Sequence, residues 1–160
     1  MELTLTREQL LTPLNHIIGA VERKMTFPIL ANILIELQQG KLTLTGTDLE
    51  VELKSSSDIE PSDHTAAITL PGKKLADICK MLPEKSQLKL QYQGNQVTIH
   101  AQKSYYKLAT MPVEEFPVVK QQDEQAAHHI TVTEKQLHTL LQNTHFSMAQ
   151  QDVRFFLNGL

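Results

Sequence analysis

The chain has 160 residues, 41% of them hydrophobic, and its 15 basic and 18 acidic side chains give a formal charge of −3. That length can bury one ordinary core with some chain left over, and neither the charge nor the polarity suggests disorder. A single cysteine, Cys79, excludes an internal disulfide and a CxxC-type metal site, and the longest apolar runs stop well short of the roughly 18 residues needed to span a membrane. The N-terminus has no basic-then-apolar signal region, so a cytoplasmic location is expected.

In chain order, Leu3-Thr4-Leu5 alternates as a short strand and Thr6 with Gln9 reads as a capping box that starts a helix. Leu5 is in register to pack on Leu10 as a hydrophobic staple, and Leu10, Leu14, Ile17, Ile18 and Val21 keep helical spacing. Period two follows: Ile33, Ile35 and Leu37, a turn at Gln38-Gln39-Gly40-Lys41, then Leu42 and Leu44. Gly46 is where a bulge or tight bend is expected, with Leu49, Val51 and Leu53 continuing as a third strand before a loop over Ser55 to Asp63. The order then repeats. Ile68-Thr69-Leu70 leads into a helix with Pro71 in its first turn, apolar at Leu75, Ile78, Cys79 and Leu82 and stopped by Pro83. Leu88, Leu90 and Tyr92, a Gly94-Asn95 turn, then Val97, Ile99 and Ala101, and finally Tyr106 and Leu108 complete three more strands.

Residues 121–127 are polar and without periodicity, as a linker reads, which divides the chain into a first domain over 1–120 and the beginning of a second over 128–160. The second begins with a copy of the first: ITVTEKQLHTLL, from Ile130, repeats LTLTREQLLTPL, from Leu3, and Thr133 with Gln136 repeats the capping box. Thr69, Leu70 and Leu75 mark a weaker third copy between them. Each copy is expected to be a strand feeding a helix. Val153-Arg154-Phe155-Phe156-Leu157 has strand composition, so this last unit is expected either to belong to a longer protein or to pair its open strand with something else, as a stand-alone interaction module would.

Four groups of residues carry a resemblance: Thr26-Phe27-Pro28-Ile29-Leu30-Ala31-Asn32; Leu44-Thr45-Gly46-Thr47-Asp48-Leu49-Glu50; Asp77-Ile78-Cys79-Lys80; and Phe146-Ser147-Met148-Ala149 with Gln151-Asp152-Val153-Arg154. Together they resemble the bacterial sliding clamps, the beta subunits of DNA polymerase III, over the whole chain. The resemblance implies an α+β clamp fold, in which a strand-helix-three-strand unit is used twice per domain with helices on one side of antiparallel sheets. It also implies a processivity factor without catalytic residues or cofactors. Two three-domain chains would close head to tail into a ring around double-stranded DNA. The implied partners are the DNA polymerase III catalytic subunit, the clamp loader complex, and other polymerases and repair proteins that carry clamp-binding motifs.

By position, the resemblance puts DNA contact at Lys24, Lys73, Lys80, Gln151, Phe155 and Phe156, and the dimer interface at Lys74, Lys103, Tyr106 and Leu108. Arg154 and Leu157 match part of the partner-peptide cleft. Phe155 and Phe156 stand where clamps often carry tyrosines, which removes a hydroxyl and keeps a face for stacking. As strand neighbours they would face opposite sides, so at least one ring is expected inward. Tyr106 and Leu108 share a strand face and are expected to form a small apolar patch.

Charge distribution agrees with such a role better than the total does. Lys73, Lys74, Lys80 and Lys85 outnumber Asp77 and Glu84 around the second helix, and Arg23-Lys24 follow the first, while acids collect in loops (Asp58, Glu60, Asp63, Glu114, Glu115). The plainer reading is a solvated polar helix face. Enzyme readings find little support: His128-His129 near Asp123 and Glu124 lack any metal-ligand spacing, Gly46-Thr47-Asp48 lacks the P-loop lysine, and Ser55-Ser56-Ser57 has no nucleophile elbow. Cys79 on an apolar helix face reads as a small core residue.

Overall fold

The computed structural model describes residues 2–21, 27–60, 65–118, 130–150 and 152–159, with the side chain of Phe155 outside that set. The chain divides into two compact units, Met1–Val119 and Lys120–Leu160. The first contains β1 (Glu2–Thr6), α1 (Arg7–Ile17), β2 (Asn32–Gln38), β3 (Lys41–Thr47), β4 (Glu52–Asp58), β5 (Ala66–Pro71), α2 (Gly72–Met81), β6 (Gln87–Gln93), β7 (Gln96–Ala101) and β8 (Ser104–Ala109). That is the expected strand, helix and three strands, used twice. Among the described residues no helix is long and apolar enough to cross a membrane.

The two halves are interlocked. The strands form two antiparallel sheets, ordered β1-β6-β7-β8 and β4-β3-β2-β5, so each half lends its first strand to the other half's sheet. Leu3 lies opposite Leu90 and Leu5 opposite Leu88 in one sheet, and Ile68 lies opposite Ile35 and Leu70 opposite Ile33 in the other. The inward side chains of both sheets and of both helices join one buried cluster. Burial of that shared apolar surface, at about 25 cal/mol per Å2, holds the halves together as one body.

Local chemistry sets each helix. Thr6 Oγ1 accepts from Gln9 N at 3.3 Å and Gln9 Oε1 accepts from Thr6 N at 2.8 Å, the reciprocal cap. Pro13 sits inside α1 and cannot donate the helical bond to Gln9 O. Ser57 Oγ on β4 donates to that carbonyl instead, at 2.8 Å. Pro71 precedes α2 as its cap residue with no side-chain cap bond, rather than occupying the first turn. The first helical residue, Gly72, is glycine because space demands it: a Cβ there would lie 2.8 Å from Ile33 Cγ2 and 3.3 Å from Val21 Cγ2.

Several expectations are corrected. Gly46 makes no bulge, since β3 keeps register through it, opposite Leu53. It is glycine because α1 ends against it, an added Cβ lying 3.2 Å from Ile17 O. The third strand starts at Glu52 and runs through Ser55–Asp58, residues expected in a loop, while Leu49 and Val51 belong to a turn. In the second unit, α3 (Glu134–Thr144) carries the expected cap, with Gln136 N donating to Thr133 Oγ1 at 3.2 Å and Thr133 N to Gln136 Oε1 at 2.9 Å. However, residues 130–133 form no strand, because no described strand of this unit offers them a ladder. Likewise Phe155–Asn158 is a 3-10 turn rather than a strand, so the strand-pairing module loses the strand it required. The linker over 121–127 lies outside the described residues.

Two stability measurements check this account. Gly72→Ala should lower the urea-unfolding stability by about 1–3 kcal/mol, as overpacking does. Ser57→Ala should cost about 1–2 kcal/mol by leaving Gln9 O unsatisfied, whereas the exposed Ser56→Ala costs little. In a Pro13→Ala background, where the helix supplies its own donor, the Ser57→Ala cost should shrink; an unchanged cost would contradict the proposed substitution of one donor for another.

Candidate nucleic-acid interface

The helices of the first unit lie side by side and antiparallel. At one end Arg7 Nε donates to Cys79 O at 2.7 Å, Arg7 N to Ser86 O at 2.8 Å, and Lys85 N to Glu8 Oε1 at 3.0 Å. At the other end Val21, just past α1, meets the start of α2 at Gly72. Arg7 thereby caps the last turn of α2, whose carbonyls have no helical donors. The Lys85 amide, with help from Arg7, holds the Glu8 carboxyl below its ordinary value.

Their solvent faces differ. On α1 the exposed side chains are Thr12, Asn15 and His16, and His16 Nδ1 lies 3.0 Å from Ser55 Oγ. On α2, Lys74, Asp77, Lys80 and Met81 are exposed and Lys73 is half-buried. Lys73 and Lys80 are seven residues apart, so they share one stripe with their Cα atoms about 10 Å apart along the axis. Asp77 lies between them. Among the described residues none of Lys73, Lys74 and Lys80 takes part in an ion pair. The unpaired cationic side chains of the helix pair are thus concentrated on α2 among the described residues.

The other expected residues are distributed as follows. Lys24 and Gln151 lie outside the described residues, as do His128 and His129. Lys103 is exposed in the β7–β8 turn. Tyr106 and Leu108 do share a face of β8, but it is the core face: Leu108 is only 6% exposed and Tyr106 packs against the core cluster. The expected apolar surface patch is therefore corrected, and what β8 offers outward is a sheet edge, since its ladder partner is β7 alone. In the second unit Phe156 is 71% exposed within the 3-10 turn, so the strand alternation that pointed one ring of the pair inward does not apply. Arg154 Nε and Nη2 donate to Asp152 at 3.1 and 3.0 Å. This pair lowers the Asp152 pKa and raises that of Arg154. Leu157 is exposed, and its backbone bonds to Arg154 O and Ala149 N. Leu137 and Leu141, in the positions of the fully buried Leu10 and Leu14, are 47% and 43% exposed.

The Arg7 cap was not foreseen; nothing in an isolated Arg-Glu pair signals a bond to a helix 72 residues on. Among the described residues no three His, Cys, Asp or Glu side chains gather as a metal site would require. Burial pushes the Cys79 thiol up to about 11, which suits a packing residue rather than a nucleophile.

The comparisons with known proteins agree among themselves. The family description "DNA polymerase III beta subunit, N-terminal domain" matches residues 1–120. The beta sliding clamp of Pseudomonas aeruginosa is 39% identical over 160 residues, all of this chain and 43% of that protein. The clamp of Escherichia coli K12 is 37% identical with the same coverage. The crystal structure of the P. aeruginosa subunit superposes with a TM-score of 0.89 at 39% identity, covering 99% of this chain and 43% of that one. The Caulobacter crescentus clamp gives 0.88 at 32% identity, covering 100% and 43%. The fold is therefore that of the sliding clamps, non-catalytic accessory subunits in DNA replication. The chain belongs to the DNA polymerase III beta subunit family, and spans about 43% of the length of the relatives it matches.

Cys79 provides a check on the packing between the helices. With its pKa about 11, roughly one thiol in a thousand is ionised at pH 8. A disulfide exchange reagent should leave the folded chain unlabelled over minutes and label it fully in denaturant; rapid labelling of the native chain would show that α2 is not seated as described.

Proposed function

We propose that this chain is the first domain, over 1–120, and the beginning of the second, over 128–160, of a processivity clamp. In the complete protein, two copies encircle duplex DNA head to tail and tether the replicative polymerase. The observation that carries the reading is the whole-chain similarity to beta sliding clamps, supported by a basic stripe on one helix of an antiparallel pair. The mechanism is topological: tethering keeps the polymerase at a high local concentration near the primer end.

Within that reading, Lys73 and Lys80, with Lys24 from the preceding loop, meet phosphates without reading bases, which permits sliding. Gln151, Phe155 and Phe156 add contacts from the second unit, and the exposed ring of Phe156 suits stacking on a base. The partner protomer adds to the free edge of β8 by strand pairing, flanked by Lys74, Lys103 and Tyr106, while Leu108 supports the strand from the core side. Arg154 and Leu157 form part of a cleft for peptides of the polymerase III catalytic subunit, the clamp loader and repair proteins. The site of action is the cytoplasm, on chromosomal DNA.

The test uses the ring-length protein. It should remain on circular DNA and run off linear DNA; equal retention on both would rule out encirclement. Lys73→Ala and Lys80→Ala should each reduce the slope of log affinity against log salt by about 0.9, one released counterion per phosphate contact. An unchanged slope would remove that lysine from the interface.

A further inference from the structure

The sheet of β1, β6, β7 and β8 turns one face to the core and the other to solvent, and the open face is basic. Register fixes what it presents. Thr4, Lys89, His100 and Tyr105 stand side by side across the four strands, and Glu2, Gln91, Thr98 and Lys107 form the next row. Among the described residues Glu2 is the one acid on this face, and its carboxylate is already engaged, 2.6 Å from Lys89 Nζ and accepting from Gln91 Nε2 at 3.0 Å. Lys107 takes part in no ion pair among the described residues. Lys85 and Lys103 extend the charge into the turns at one end, where Lys85, Lys89, His100 and Gln102 line a depression of about 510 Å3. The outward positions of the other sheet differ, since Glu36, Glu52 and Asp58 there offset Lys41 and Lys54. In a chain of formal charge −3 the basic face is a local concentration of charge that the composition does not account for.

Charge alone attracts any polyanion; the ring beside it selects among them. Tyr105 is 66% exposed, with its ring centroid 6.3 Å from that of His100 and the two planes 35° apart. An aromatic face among lysines and side-chain amides, on an open sheet, is how single strands are held without sequence readout, each base stacking on a ring while its phosphates meet the cations. A duplex keeps its bases stacked on one another and offers Tyr105 none. A carboxylate is repelled by the negative face of the ring, so an acidic peptide has no use for it. We infer that the open face of the β1-β6-β7-β8 sheet binds single-stranded DNA, with Tyr105 stacking on a base and Lys85, Lys89 and Lys107 taking the phosphates. A partner strand added at the edge of β8 extends the sheet in its own plane and leaves this face open. The inference rests on the reading of the chain as part of a DNA-encircling accessory subunit, and it assigns a single-strand contact separate from the duplex contact of α2.

The test uses the 160-residue chain and three fluorescent probes: an oligothymidylate of about 12 nucleotides, a duplex of the same length, and an oligoaspartate of the same charge. Affinity is read by anisotropy across a salt series. Tyr105→Ala should weaken oligothymidylate binding by about fivefold or more, the loss of one stacked base, whereas Tyr105→Phe should preserve it and neither should alter duplex binding. Lys107→Ala should lower the slope of log affinity against log salt by about 0.7, the single-strand value per phosphate. Glu2→Gln should tighten oligothymidylate binding and steepen the slope, because it releases Lys89. A gain of binding from one substitution on the face, beside a loss from another, excludes simple damage to the fold. The inference is overturned if oligothymidylate does not bind, if Tyr105→Ala leaves its affinity unchanged, if duplex binding falls in parallel, or if the oligoaspartate binds as tightly. Retention of the ring-length protein on circular DNA is scored separately, so a failure of encirclement and a failure of this contact are told apart.

Discussion

The exchange of first strands between the two halves of the first unit is the constraint on which the rest depends. Because β1 pairs with β6 and β5 with β2, neither half has a complete sheet of its own. Each helix follows directly on an exchanged strand, so the exchange also decides where the helices start and brings α1 and α2 side by side. The Arg7 bond to Cys79 O and the seating of Gly72 against Val21 and Ile33 then fix their spacing at opposite ends. The presentation of Lys73 and Lys80 follows from strand pairing at a distance from either lysine.

Much of this was legible locally. The capping boxes at Thr6 and Thr133, the apolar spacing of α1 and α2, and the period-two runs of β2, β3, β6 and β7 are short-range signals, and they mark elements well. Partner choice is a different kind of information. Nothing in Leu3-Thr4-Leu5 says that its ladder lies on residues 87–91 instead of on the strands that follow it. The apolar helical spacing of Leu75, Ile78 and Cys79 marks the buried face of α2 correctly, whereas the period-two pattern of Tyr106 and Leu108 could not say whether their common face looks to water or to the core.

Two of the misread segments share a physical cause. Leu49, Val51 and Leu53 alternate as a strand does, yet Asp48 captures two backbone amides and turns the chain before the ladder begins. Side-chain capture of backbone donors competes with sheet formation, and Asp after Gly-Thr was the available signal. Val153 to Leu157 has β-forming composition, but strand propensity is largely a preference for packing on a pleated surface. Here Asp152 instead bonds Arg154, and Asn158 bonds back to the backbone of Asp152, closing a compact turn.

Strand exchange also sets an order of events during synthesis. β1 leaves the ribosome well ahead of the strand that completes its ladder, which ends at Gln93. At translation speeds of about 5–20 residues per second, β1 waits roughly 4–18 s for its partner. Throughout that interval Leu3, Leu5 and the apolar stripe of α1 have no completed sheet to cover them. The nascent β1–α1 segment therefore carries uncovered apolar surface through that interval, and the first unit becomes a folded body only when almost all of it has been made.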